Sequence, residues 1–369
     1  MANSNLTKAK TDKNDEFYTQ LPDIENELRH YKAHFKDKVI YCNCDDPLVS
    51  NFFRYFSLNF AHLGLKKLIA TCYQSDDAGV RTDLSSDTAV KIEYSGGDIV
   101  GGMPVAADMV VTPLEGDGDF RSDECIEILK SSDIVVTNPP FSLFREYIAQ
   151  LMEHEKSFVI IGSMNAITYK EFFPLLKHNQ VWLGNKSGGL EFEVPMDFEQ
   201  KNTYIKGDKK YAKFGNIVWF TNLDFARRHE DIVLYRQYDA DEYPTYDNYD
   251  AIEVAKVKDI PVDYDGVMGV PITFLQSHNP KQFEILGMTT GREEFGIGPS
   301  KRYVNASQVN KNGTIANGSK ANTRACILLD EAPADSVYYL ADNAAGPMKI
   351  VYARILVRRI KPTETKTAI

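Results

Sequence analysis

Long apolar runs are missing from this chain. None reaches the roughly 18–20 residues that a membrane-spanning helix needs, so no such helix is expected. The opening stretch, "MANSNLTKAKTDKNDEF", is polar and has no apolar segment of the signal-peptide kind, which points to a soluble protein of the cytoplasm. Cysteine is sparse: Cys42, Cys44, Cys72, Cys125 and Cys326 are odd in number and fit no zinc spacing. Free thiols in a reducing compartment are expected, without disulfides. The seven histidines form no paired spacing, and no metal site is expected. Positive charge is also short, 42 basic against 52 acidic residues, a net of −10. That balance argues mildly against nucleic acid as a partner. No internal repeat is visible.

What is present suits a globular chain of one large domain and a smaller one. It has 369 residues, 43% of them hydrophobic and 25% charged. The charge is uneven. Residues 1–200 hold 19 basic and 31 acidic residues, a net of −12, whereas 278–369 hold 13 and 8, a net of +5. A mildly basic tail region can bind a polyanion locally even in an acidic chain.

Residues 1–15 read as disordered. From 38 to about 185, short apolar segments alternate with helical ones. "KVIYCNCD" (38–45), "KKLIATCY" (66–73), "DIVVT" (133–137), "SFVIIGS" (157–163) and "QVWLG" (180–184) read as strands, with "GNIVWFTNL" (215–223) following. Residues 22–36, 48–64, 122–132, 142–155 and 169–179 read as helices, the second closed by Gly64. Residues 89–112, with a Gly-Gly between apolar runs, read as an inserted hairpin. The pattern predicts an α/β domain with a parallel sheet covered by helices on both faces. After about 235 come short segments broken by "GVMGVP", "GIGPS", "KNGTIANGSKANT" and "NAAGP", a loop-rich region that ends in the basic strand "KIVYARILVRRI".

One segment carries chemistry. The apolar run Ile134-Val135-Val136 leads into Asn138-Pro139-Pro140-Phe141, and a helical pattern follows at once. Ligands of open parallel sheets sit beyond the carboxyl ends of the strands. Two prolines stiffen the backbone there and cannot donate to a ladder. Asn138 offers an acceptor oxygen and Phe141 a stacking face. An exocyclic amino group would have its two hydrogens accepted by the Asn138 side chain and the Pro139 carbonyl, with Phe141 holding the ring.

"NPPF" in this setting resembles the catalytic motif of amino-group methyltransferases that use S-adenosylmethionine, in the form typical of enzymes acting on adenine in DNA. "NDEFYTQLPDIENEL", "VIYCNCDDPLVSNFFRYF" and "KKLIATCYQ", with the ending "YARILVRRI", resemble the adenine-specific modification methyltransferases of the EcoRI type. The resemblance runs from about residue 14 to 235 and is weaker from 236 to 350. It implies a Rossmann-like S-adenosylmethionine-dependent methyltransferase sheet over 16–235 and a loop-rich target-recognition region over 236–369. Asn138, Pro139, Pro140 and Phe141 would be catalytic. Phe17, Tyr18, Thr19, Cys44, Asp45, Asp46, Pro47, Asp119 and Phe120 would meet the cofactor. The implied partner is double-stranded DNA with a flipped-out adenine, and a cognate restriction endonuclease in a bacterial or phage-infected cell is a further one. No metal or membrane takes part.

The chain departs from the family pattern in two places. Leu48-Val49-Ser50-Asn51 stands where a glycine-rich loop is usual, and the second strand ends near Tyr73, Asp76 and Asp77 without one clear acid for the cofactor's ribose. There is no Pro-Cys dipeptide, which argues against ring-carbon methylation of cytosine through a cysteine. Arg292, Lys301, Arg302, Lys311, Lys320 and Arg324, set among Asn, Ser and Gly, are the residue types that reach phosphates and base edges. "EVAK" (253–256) matches a nuclease-like acid-x-lysine pattern by coincidence of a short motif. The same amine cradle could serve RNA or a protein glutamine, and a non-catalytic relic of the fold is the third alternative.

Overall fold

The computed structural model describes residues 18–44, 50–71, 89–186, 188–198 and 202–361. Two compact units emerge. One runs to Phe172 and resumes over Val181–Phe225; the other comprises Phe173–Gln180 and the chain from Ala226 on.

The first unit is built on eight strands: β1 Val39–Cys42, β2 Lys67–Thr71, β3 Val90–Tyr94, β4 Met109–Pro113, β5 Ile134–Thr137, β6 Ser157–Ser163, β7 Trp182–Leu183 and β8 Ile217–Thr221. Their order is β7-β8-β6-β5-β1-β2-β3-β4. The central four, β6-β5-β1-β2, are parallel. Every residue of β1 and β5 is buried, as expected of strands covered on both faces. The sheet is not parallel throughout, as the alternation had suggested. β3 and β4 form the expected hairpin and join antiparallel at one edge. Their connection, residues 95–108, holds a small hairpin of its own, Ile99–Val100 pairing with Met103–Pro104 across Gly101-Gly102. At the other edge β8 and β7 are also antiparallel.

The helices that matter for the site are α1 Leu21–Leu28, α2 Asn51–Leu58, α3 Asp123–Ser131 and α4 Phe144–Glu153. α3 starts where the Ser122 hydroxyl accepts from Cys125 N at 3.2 Å. The helix expected over 48–64 is interrupted at Asn59, which leaves helical geometry; a short turn over Phe60–Leu63 then ends on left-handed Gly64. A second, antiparallel sheet follows the order Tyr18–Thr19, Leu190–Val194, Lys209–Phe214, Thr203–Lys206. Its polar alternation had given no strand signal. Buried Glu27 of α1 accepts from the Asn185 and Lys186 backbone N–H groups at 2.7 Å each and from Tyr31 Oη at 2.7 Å. Burial raises its pKa above the ordinary carboxylate value.

The second unit contains a four-stranded sheet in the order Ile252–Glu253, Met268–Pro271, Arg354–Arg359, Phe283–Met288, and a five-stranded one in the order Ile315–Asn317, Ser307–Val309, Tyr338–Leu340, Met348–Ile350, Cys326–Leu328. The single basic strand expected at the chain's end is therefore two strands in different sheets. Its cations serve the unit itself: Arg354 pairs with Glu253, Arg358 with Glu284 at 2.6 Å, and Arg359 Nη1 donates to the Val262 carbonyl.

His278 in this unit is buried beside Phe274 and its Nε2 lies 2.8 Å from the Phe283 carbonyl. Burial lowers its pKa from 6.5 to about 4. As pH falls below 6.5 the unfolded chain takes up this proton first, so stability is lost progressively down to about 4. The expected loss from this group alone is roughly 3 kcal/mol across that window. Urea denaturation at pH 7 and pH 4.5 checks it: His278→Gln should lose less stability between the two pH values than the parent does.

Candidate active site

β1 and β5 lie side by side and run in parallel, Ile40 facing Ile134 and Tyr41 facing Val135. The chain leaves β1 towards β2 on one side, and β5 towards β6 on the other. The gap between their carboxyl ends is thus the point where strand order reverses, the usual ligand crevice of an open α/β sheet. Asn138-Pro139-Pro140-Phe141 leaves β5 at this point. Asn138 and Pro139 are buried, Pro140 and Phe141 half-buried. Leu143 N donates to the Pro140 carbonyl at 3.0 Å, which closes a tight turn over Phe141–Leu143 and launches α4. Among the described residues no donor is bonded to the Pro139 carbonyl. Phe141 packs one side of its ring on the apolar core, and its partial exposure leaves another side accessible.

The ends of β1 and β5 are stitched together. Thr137 Oγ1 donates to the Asn43 carbonyl. The Asn43 side-chain oxygen accepts from Tyr147 Oη of α4 at 2.5 Å. The Tyr147 ring meets Phe120 edge-on, with centroids 5.0 Å apart, and Gln150 Nε2 donates to the Phe120 carbonyl at 3.0 Å. Asn43, next to Cys44, therefore touches the strand that carries the motif, and both Asn43 and Phe120 touch α4, the helix that follows the motif. Burial drives the Tyr147 phenol far above its ordinary pKa, so it stays a donor.

Asn43 and Tyr147 were not among the residues read from the sequence. A polar group on the apolar face of α4 was the available signal, since a buried phenol requires a partner.

The remaining expected residues fall out as follows. Cys44, half-buried, has φ 81°, a left-handed backbone uncommon for a residue other than glycine. Thr19 is buried in the strand Tyr18–Thr19, and Asn51 Nδ2 at the start of α2 donates to its carbonyl at 2.8 Å. Its hydroxyl has no hydrogen-bond partner among the described residues. Asp119 is gripped by Arg121 through Nε at 3.0 Å and Nη2 at 2.6 Å, which holds the carboxylate below its ordinary pKa. Arg121 also reaches Glu146 at 2.9 Å. Phe17, Asp45, Asp46, Pro47, Tyr73, Asp76 and Asp77 lie outside the described residues, as does the side chain of Tyr18.

In the second unit, Arg292, Arg302, Lys311 and Lys320 are exposed and Arg324 is half-buried. Arg302 Nη2 donates to the Gly291 carbonyl at 3.3 Å, and Gly291 N donates to Tyr249 Oη at 3.0 Å. Lys301 differs from the others. It pairs with Asp247 at 2.9 Å and lies over the Tyr303 ring, so its charge is largely compensated within the unit. Glu253 of "EVAK" accepts from Arg354 and from Tyr246, a structural ion pair. A cleft of about 490 Å³ beside it is lined by Arg236, Tyr243, Lys349, Tyr352 and Arg354. Among the described residues there is no cluster of metal-ligating side chains, and no helix is long and apolar enough to cross a membrane.

An α/β sheet with an Asn-Pro-Pro-Phe turn at its switch point defines a methyltransferase of the amino-group class. The model of the family described as adenine-specific methyltransferase EcoRI matches residues 5–360, nearly the whole chain. The chain belongs to that family and is a site-specific DNA methyltransferase. It is 53% identical over 299 residues to the type II methyltransferase M.EcoRI of Escherichia coli, covering 79% of this chain and 91% of that protein. It is 40% identical to M.MgeORF184P of Mycoplasma genitalium over 293 residues, 76% of this chain and 85% of that protein. It is 39% identical to M.MpnI of Mycoplasma pneumoniae over 289 residues, with 76% and 84% covered. No solved structure matches the chain significantly.

Proposed function

We propose that this chain methylates the exocyclic amino nitrogen of an adenine flipped out of duplex DNA, with S-adenosylmethionine as donor and with Asn138 to Phe141 as the catalytic residues. The observation that carries this reading is the position of the motif at the β1/β5 switch point, between a strand tied to Asn43 and a helix that touches both Asn43 and Phe120.

The groups proposed to meet such a donor suit it chemically: a left-handed backbone at Cys44, a buried unsatisfied hydroxyl on Thr19, a carboxylate held ionised at Asp119, and the Phe120 ring. Phe17, Tyr18 and Asp45 to Pro47 complete the proposed set. When bound, S-adenosylmethionine supplies a methyl group on a positively charged sulfur.

The chain's own residues then do three things. Asn138 and the Pro139 carbonyl accept the two amine hydrogens, which turns the nitrogen lone pair out of the ring plane. The same two oxygens face the positive charge that develops on that nitrogen, a preorganised arrangement that needs no reorientation. Phe141 stacks on the adenine, which cannot be reached inside the helix.

The second unit reads sequence, with Arg292, Arg302, Lys311, Lys320 and Arg324 at phosphates and base edges and Lys301 anchoring their segment. A restriction endonuclease cutting the same site in the same cell is the partner this reading supplies.

Incubation with methyl-labelled S-adenosylmethionine and DNA, RNA or protein tests it. Label in DNA as methylated adenine is expected. Label in RNA or in glutamine would move the substrate, and absence of both label and calorimetric cofactor binding would leave a relic. Phe141→Ala should lower kcat/KM on duplex DNA by about 5–150-fold, the worth of one base–aromatic stack. Phe141→Trp should retain most of it, and an unchanged kcat/KM in the alanine variant would remove Phe141 from the site.

A further inference from the structure

The first unit carries a ribbon that the sequence reading did not single out. Strands Thr203–Lys206 and Lys209–Phe214 pair with Tyr204 opposite Tyr211, Ile205 opposite Lys210 and Lys206 opposite Lys209. Gly207, at φ 66°, makes the turn. The base of the ribbon is fixed. Phe214 meets Phe192 at 5.7 Å and Ala212 is buried in the core. The outer strand, Thr203–Lys206, has no second neighbour among the described residues.

Charge and exposure mark this ribbon out. Residues 203–214 hold four lysines and one aspartate, a net of +3, next to an N-terminal stretch of net −12. Lys206, Lys209 and Lys213 share one face, since strand side chains alternate and Lys206 lies opposite Lys209. Lys209 pairs with Glu193 at 2.9 Å and Lys210 donates to the Met196 carbonyl at 3.0 Å. Lys213 lies opposite Glu191 of the neighbouring strand, and neither Lys206 nor Lys213 makes an ion pair among the described residues. Tyr204 stacks on Tyr211 with centroids 5.6 Å apart, and Ile205 is 62% exposed. Lys206 on the edge strand opposes pairing with a second copy, whereas the charge of the ribbon complements a polyanion.

We propose that the ribbon Thr203–Phe214 is a DNA-backbone contact of the catalytic unit, additional to the basic segment of the second unit. Lys206 and Lys213 meet phosphates, Lys209 on the same face adds to the local field, and Tyr204, stacked on Tyr211 of that face, covers sugar and base edges. Lys209 and Lys213 are about 13 Å apart along the strand, roughly the rise of four nucleotides on one DNA strand. The proposal rests on the chain's acting on DNA. It explains how an acidic catalytic unit can hold a polyanion at all.

The test uses the full-length protein and a fluorescent duplex carrying its methylation site, with affinity measured from 50 to 200 mM salt. Each lost phosphate contact flattens the slope of log K against log salt by about 0.9. Lys206→Ala/Lys213→Ala should flatten it by about 1.8 and weaken binding on the order of tenfold, while calorimetric affinity for S-adenosylmethionine stays unchanged. A wild-type slope that the double variant reproduces overturns the contact and leaves DNA methylation standing. A wild-type protein that binds no duplex overturns both. A variant that changes the sedimentation of the free protein would put a second copy on the ribbon and overturn the proposal.

Discussion

Asn138→Ala should cut the rate of methyl transfer by about 10²–10³-fold or more, the range seen when one preorganised polar contact to the reacting group is lost. Affinity for S-adenosylmethionine should change by less than about threefold, within the roughly 0.7 kcal/mol expected when no direct contact is removed. The asymmetry follows from position. Asn138 leaves the end of β5, whereas the expected cofactor contacts gather at the end of β1 and around Phe120. Its loss leaves the Pro139 carbonyl as one acceptor for an amine with two hydrogens, so the nitrogen is no longer aimed. Single-turnover rates on duplex DNA, with calorimetry for the cofactor, give both numbers. A rate within threefold of wild type would remove Asn138 from the chemistry; a lost rate accompanied by lost cofactor binding would make it a general site residue.

The second large effect is on stability. Arg354 contacts Glu253 through Nε at 3.1 and 3.0 Å and through Nη2 at 2.5 Å, with side chains only 14% and 9% exposed. Tyr246 donates to the same carboxylate. Arg354→Ala would leave the carboxylate buried without its counter-ion. Breaking such a pair costs about 3–5 kcal/mol, far more than an exposed pair contributes. The denaturation midpoint should fall accordingly, and the double change Glu253→Gln/Arg354→Met should recover a large part of the loss. Equal stability of Arg354→Ala and wild type would show the pair to be solvated in solution.

What could be read ahead of the structure was local. Ile134 to Thr137 announce a buried strand because their side chains are mostly apolar and all β-branched, and the two prolines that follow cannot extend a ladder. Strand, turn and helix were legible there from consecutive residues. The hairpin over 89–112 was legible for the same reason, although its antiparallel entry into the main sheet was not. Contacts between distant residues were hidden. Asn43 and Tyr147 are separated by 104 positions, and nothing near either one names the other. Composition also conceals pairing: Lys301 looks like its basic neighbours until Asp247 is found beside it, and Arg354 looks like part of a basic surface strand until Glu253 is. The ribbon at 203–214 gave no signal because both of its strands are largely polar, so no apolar period stood out.

The central claim is that this chain methylates adenine within one DNA sequence, using Asn138. The most direct measurement is single-molecule sequencing of DNA from cells that otherwise lack adenine methylation, expressing either the wild-type chain or Asn138→Ala. The expected result is methylated adenine confined to a single short motif in the wild type and absent in the variant. Methylated cytosine, adenine methylation without a shared motif, or an unchanged pattern in the variant would contradict it.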